Sequence, residues 1–386
     1  MMSIQDSVFI QAAVFTTGVA IILLVSIWWL YLSPARNSEK PVERPSARLA
    51  AALASLLGLA ALLLVSGALW DASMHIKTGE IPAGADFLWP PHLLIYSGFL
   101  LALLVALVTV VKVALNGWRN GVRDPRQWVR QNPYLGVVAL ASFYELLAIP
   151  SDALWHAIFG EDLTAWSPPH ILLATMGSVL TISAVGLLAQ TRFPPSWKAW
   201  RQLSVFALLG LTLNIAYIIG VLEWELPVRP AIVSARPLWV YPLVAGALAF
   251  FILALSRRLV HFRWAATTTA LVFYLVRLPI AEVLGLTDNI QPATPLMFLL
   301  GAFLMDILPL KQIKPPVLSG LAMAAAFTIG YYFLALPQLA LFSRLQGLNG
   351  LDVLLSVLST LLASLALLPL ANLVGGRLLG MQRLKV

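Results

Sequence analysis

Eleven apolar runs constrain this chain more than any other feature, because a helix needs about 20 such residues to cross hydrocarbon. They fall at 8–32, 47–70, 89–115, 134–158, 168–191, 202–222, 237–256, 264–286, 293–310, 316–342 and 353–376. Only 11% of the residues are charged and 60% are hydrophobic. A soluble domain carries roughly 25% charge, so this surface must face lipid. A cytosolic enzyme, a nucleic-acid binder and a disordered scaffold are excluded. The expected fold is an all-α polytopic membrane protein of about eleven transmembrane helices. The first run lacks a basic leader and a small-residue cleavage site, and reads as a retained helix rather than a signal peptide.

The basic residues give a direction. Of 25 Lys and Arg, 20 lie on alternate connections or the tail: Arg36 to Arg48, Lys112 to Arg130, Arg192 to Arg201, Arg257 to Arg263, Lys311 and Lys314, and Arg377 to Lys385. Between them lie only Lys77, Arg229, Arg236 and Arg344, with Arg277 inside a run. Positive loops stay cytoplasmic, which predicts the N-terminus outside and the C-terminus inside. The net charge of +8 is then an orientation signal, not the mark of an acidic partner. The connections 33–46 and 116–133 are too short to fold alone. Trp118, Trp128, Trp197 and Trp200 suit an interfacial aromatic belt. The chain divides into an N-terminal transmembrane helix and cytoplasmic loop (1–46), a duplicated hairpin region (47–200) and a C-terminal helical bundle (201–386).

The duplication holds four of the five histidines. Asp71 and His75 match Asp152 and His156, each 81 residues on, and His92 matches His170 at an offset of 78. Both copies close with Pro-Pro-His at the start of an apolar run. They lie on the same outer side, which predicts a parallel internal repeat of helix hairpins. Asp-x-x-x-His puts two donors on one helical face. A Pro pair begins the returning helix, where a missing N–H costs nothing, and the next His falls in its first turn. One carboxylate and two imidazoles form a transition-metal site with open positions, and copper, zinc and iron all suit the donors. Absent Cys excludes disulfides, thiolate ligands and iron–sulfur clusters.

Other polar residues inside the runs are fewer. Glu145 shares a helical face with Asp152 and His156 and is read as an added ligand, as an acceptor holding a His ring, or as a buried protonated acid. Arg277 is expected to pair with Asp306 across two helices. Glu223, Glu225, Arg229 and Arg236 read as a solvated outer face, and His261 as a lipid-headgroup contact in a basic loop.

The stretch from Asp152-Ala-Leu-Trp-His156 to Trp166-Ser-Pro-Pro-His170 resembles part of the C subunit of particulate methane monooxygenase and ammonia monooxygenase. In that family an Asp-x-Ser-Trp-His segment followed by Thr-Pro-Ser-His binds copper near the outer membrane face. The resemblance implies Asp152, His156 and His170 as copper ligands, with Asp71, His75 and His92 as a second, degenerate copy. It further implies a subunit of a membrane oxidase or monooxygenase-like complex with other membrane subunits. The expected location is a prokaryotic plasma membrane with the hairpins on the periplasmic or extracellular side. The spacing between the two His is one residue longer here in the second copy and four longer in the first.

No Gly-rich nucleotide loop, esterase elbow or zincin motif is present, which leaves the lipid bilayer as the evident partner and neither nucleotide nor nucleic acid. The same His and Asp also suit an ion or proton site in a transporter or permease. Bis-His haem ligation and a cofactor-free structural subunit complete the alternatives.

Overall fold

The computed structural model describes residues 14, 17, 18, 21–33, 45–78, 88–159, 165–221, 223, 236–287, 296–308, 313–342 and 348–380. Among them every regular element is a helix. An apolar segment at Ile21–Leu30 ends in a π-turn over Trp28–Leu32. Eleven α-helices follow: α1 Ala47–Thr78, α2 Pro90–Arg119, α3 Pro125–Gln131, α4 Pro133–Phe159, α5 Pro168–Gln190, α6 Lys198–Val221, α7 Val240–Leu259, α8 Ala265–Leu286, α9 Met297–Ile307, α10 Pro316–Phe342 and α11 Gly350–Gly380.

Nine of these helices are long and apolar enough to cross a membrane, which makes the chain an integral multi-pass protein. The expected count of eleven is reduced among the described residues at two places. The first run shows a short apolar helix at Ile21–Leu30, and most of the residues before it lie outside the described residues. The run at 293–310 forms only α9, with Leu296 and Leu308 outside helical geometry at its two ends. Eleven residues rise about 16 Å, roughly half of the ~30 Å hydrocarbon depth.

The partners of α9 place it in depth. Its Phe298 N–H donates to the Tyr274 hydroxyl at 3.2 Å, and Tyr274 lies near the middle of α8. At its other end Asp306 accepts from the Thr267 N–H and hydroxyl, both at 2.8 Å, and so caps the first turn of α8. Arg257 of α7 approaches the same carboxylate at 3.4 Å. This corrects the expected Arg277–Asp306 pair. Arg277 lies twelve residues into α8, about 18 Å from its start, whereas Asp306 sits at that start. The Arg277 guanidinium instead lies 4.7 Å over the Tyr217 ring.

The short α3 was not expected from sequence. Asp124 caps it, accepting from the Arg126 N–H at 2.9 Å, and Pro125 occupies its first turn. The Arg126 guanidinium bonds the same carboxyl and holds it below the usual Asp range. His261 is exposed, as a basic-loop residue should be.

Leu100, Leu104, Leu107, Val108 and Val111 expose an apolar stripe along α2, the lipid face of a spanning helix. A large core joins most of the bundle, and a smaller cluster of Leu64, Phe99, Ile215 and Leu284 lies among α1, α2, α6 and α8. Helix α6 packs on α1 and α5 and also on α7 and α8, so it is shared by the hairpin region and the C-terminal bundle.

Candidate functional site

The first hairpin is built by close backbone approach. A Cβ on Gly67 would stand 2.8 Å from the Pro91 carbonyl, and one on Gly98 would stand 2.6 Å from the Ala60 carbonyl. Glycine at both places lets α1 and α2 nearly touch. That contact sets the last turns of α1 beside the first turn of α2. His75 Nε2 lies 3.5 Å from Asp71 Oδ2, and His92 Nε2 lies 3.3 Å from Asp71 Oδ1. One carboxylate is thus flanked by two imidazoles, one on each oxygen. The His92 ring is held between Trp89 and Tyr96, with ring centres 6.3 and 5.9 Å away.

The second hairpin repeats part of this. Pro168 and Pro169 start α5, and the Ser167 hydroxyl accepts from the His170 N–H at 3.4 Å. His170 Nε2 lies 3.3 Å from Asp152 Oδ1. His156 belongs to α4, but its side chain lies outside the described residues.

Trp166, four residues before His170, is tied down by a network that the sequence did not announce. Trp166 Nε1 donates to the Ile219 carbonyl at 2.7 Å, and the Arg236 guanidinium lies 4.5 Å over the Trp166 ring. Arg236 also bonds Glu223, which accepts from the Tyr241 hydroxyl at 2.6 Å. Glu223 is 1% exposed, so the expected solvated face is a buried clamp at this residue. Glu225 and Arg229 lie outside the described residues. The one sequence hint is an aromatic at 166 facing a charge cluster, a pairing that spacing alone cannot reveal.

The two hairpins meet. Asp71, His92, Asp152 and His170 all line one pocket, which encloses about 710 Å³ with its open mouth included. Its walls descend as aliphatic and aromatic side chains of α1, α2, α5 and α6. His75 stands behind Asp71, outside this lining. Glu145 is fully buried on α4, and neither of its oxygens has a hydrogen-bond partner among the described residues. It therefore holds no imidazole of that set.

Among the described residues, no three His, Asp or Glu side chains form a ready metal-binding group. The reason is visible in the first hairpin, where the imidazoles approach opposite oxygens of one carboxylate rather than a common point. What the site presents is carboxylate–imidazole pairs, two of which face one cavity. Compared with known proteins, the chain matches no family model, and no curated protein or solved structure is similar to it.

Proposed function

We propose that this protein binds a transition metal at the pocket where its two hairpins meet, with Asp71, His92, Asp152 and His170 as the holding residues and His75 and His156 flanking them. The observation that carries this reading is the delivery of one Asp–His pair from each hairpin to the same cavity. The spacing fits. Two donors each about 2.1 Å from one first-row ion at a near-tetrahedral angle stand about 3.4 Å apart, and both pairs are 3.3 Å apart. The resemblance to the monooxygenase C subunit favours copper over zinc or iron and points to an oxidoreductase subunit working beside other membrane chains.

The basic loops favour a pocket mouth on the outer side of the membrane and a parallel repeat, and the resemblance favours a prokaryotic plasma membrane. A bound copper ion would supply one-electron redox chemistry. The chain's own residues orient the site: Asp71 and Asp152 stand against the imidazoles, and Trp89 and Tyr96 hold the His92 ring.

The test is elemental analysis of the purified full chain beside His92→Ala and His170→Ala. Stoichiometric metal in the parent and its loss in both variants is the expected result. Metal retained in both, or absent from a folded parent, overturns the reading; an unmetallated parent that moves ions into liposomes replaces it with transport.

A further inference from the structure

Two helical turns beneath the pocket rim lies a carboxyl that the rim does not use. Glu145 is seven residues before Asp152 on α4, Leu64 is seven before Asp71 on α1, and Gly177 is seven after His170 on α5. Seven residues rise about 10 Å, so three helices bring these residues to one level below the rim. They meet there. A Cβ on Gly177 would touch Leu64 at 3.2 Å, Ile215 at 3.5 Å and Glu145 Oε1 at 3.6 Å. Leu64 and Ile215 are themselves pocket-lining residues. The cavity that opens between the Asp–His pairs thus reaches down to the wall behind which Glu145 lies.

Glu145 has no exposed surface and no hydrogen-bond partner for either oxygen among the described residues. An isolated charge in such a place is costly, whereas the neutral acid is tolerated. The titratable groups of the surrounding helices stand away from it. Asp71 of α1, His92 and Tyr96 of α2, Asp152 of α4 itself and His170 of α5 lie toward the rim, and α6 offers Ile215 at this level. Arg126 and Arg130 of α3 lie beyond the other end of α4, occupied with Asp124 and the Leu30 carbonyl.

We propose that Glu145 is a proton-binding site just behind the pocket wall at Leu64 and Ile215, whose carboxyl exchanges its proton with water entering between the two Asp–His pairs. The O–H bond of the acid breaks, the proton passes to pocket water, and the return step reverses this; no electron moves. The site has a function distinct from holding a metal and does not rest on one. Glycine at 177 serves it, because any larger residue there would fill the space that the carboxyl faces.

Infrared spectroscopy of the full chain in lipid tests this. A protonated Glu145 gives a carboxylic-acid carbonyl band that vanishes in Glu145→Gln and reappears, displaced, in Glu145→Asp. On transfer to D₂O the band shifts as its proton exchanges, in folded protein. A plug in the pocket wall, Ala68→Trp or Ala174→Trp, slows that shift by about tenfold. Absence of a band assignable to Glu145, a band that shifts only on unfolding, or exchange unchanged by both plugs overturns the proposal. Glu145→Asp serves as the assignment where Glu145→Gln does not fold. Metal content does not enter any of these readouts, so their failure is separate from failure of the metal reading.

Discussion

At Asp71 a single carboxylate serves two imidazoles, and its two neighbours are not equivalent. His92 faces the cavity and is braced by aromatic rings, while His75 sits behind on the same helix. Replacing His75 by Gln leaves Asp71 its His92 partner, so thermal unfolding in detergent should show a loss of about 1 kcal/mol or less. Asp71→Asn disturbs both contacts and should cost about 2–3 kcal/mol. Equal losses in the two variants would mean that the carboxylate is not shared. The clamp around Trp166 gives a second expectation. Arg236→Ala takes the guanidinium away from the buried Glu223 carboxylate, which keeps the Tyr241 hydroxyl, at a cost of roughly 2–3 kcal/mol. Removing both, Arg236→Ala with Glu223→Gln, should recover part of that loss. The Asp-x-x-x-His and Pro-Pro-His spacings were legible because helix geometry maps spacing directly onto a face and a first turn. The Glu223 clamp was not, because it joins residues whose proximity depends on how α6 and α7 pack.

Among the elements, legibility followed length. Runs that fill a bilayer became helices near their expected bounds, since apolar length is the property that the membrane selects. The run at 293–310 misled because apolarity says nothing of where a helix begins. Tyr274 supplies the N-terminal partner of α9 at mid-depth, and Asp306 supplies the cap of α8 from the far end. Asp306→Ala should therefore destabilise by about 1–2 kcal/mol, the loss of a cap, and Asp306→Asn by less; equal stability of Asp306→Ala and the parent would remove the capping role. For α3, Asp124-Pro125 was a readable start that the apolar search passed over. Protons remove this cap with a defined sign: the lowered Asp124 value makes its contribution present above the ordinary carboxylate range and lost as pH falls through that lowered value. Being only partly buried and on a seven-residue helix, it matters little to the whole. The α1–α2 contact matters more. Gly98→Val places a side chain against the Ala60 backbone, with an expected cost of about 1–3 kcal/mol. Because α1 and α2 carry the Asp71 and His92 of one pair, the same variant should weaken any metal held at the rim.

For the whole molecule, the two Asp–His pairs and the buried Glu145 have meaning only through the side of the membrane from which the pocket opens. Apolar helices alone do not bear on that side, whereas the distribution of Lys and Arg predicts it. The ends of the structure agree in grouping: α7 ends and α8 begins beside the Asp306 end of α9, all within the basic set that includes Arg257 and Arg263. The chain lacks Cys altogether, so a single introduced thiol reports position without background. Leu88, 70% exposed just before α2, lies on the loop of the first Asp–His hairpin. Asn120, exposed after α2, lies in the most basic connection. In intact cells a membrane-impermeant maleimide should label Leu88→Cys and leave Asn120→Cys untouched, while permeabilised cells should label both. Both thiols sit at opposite ends of one 30-residue helix, so the two results must be opposite whatever the orientation, and identical labelling would show that α2 does not span. Label at Asn120→Cys alone would invert the protein, turning the pocket and the proton path of Glu145 toward the cytoplasm.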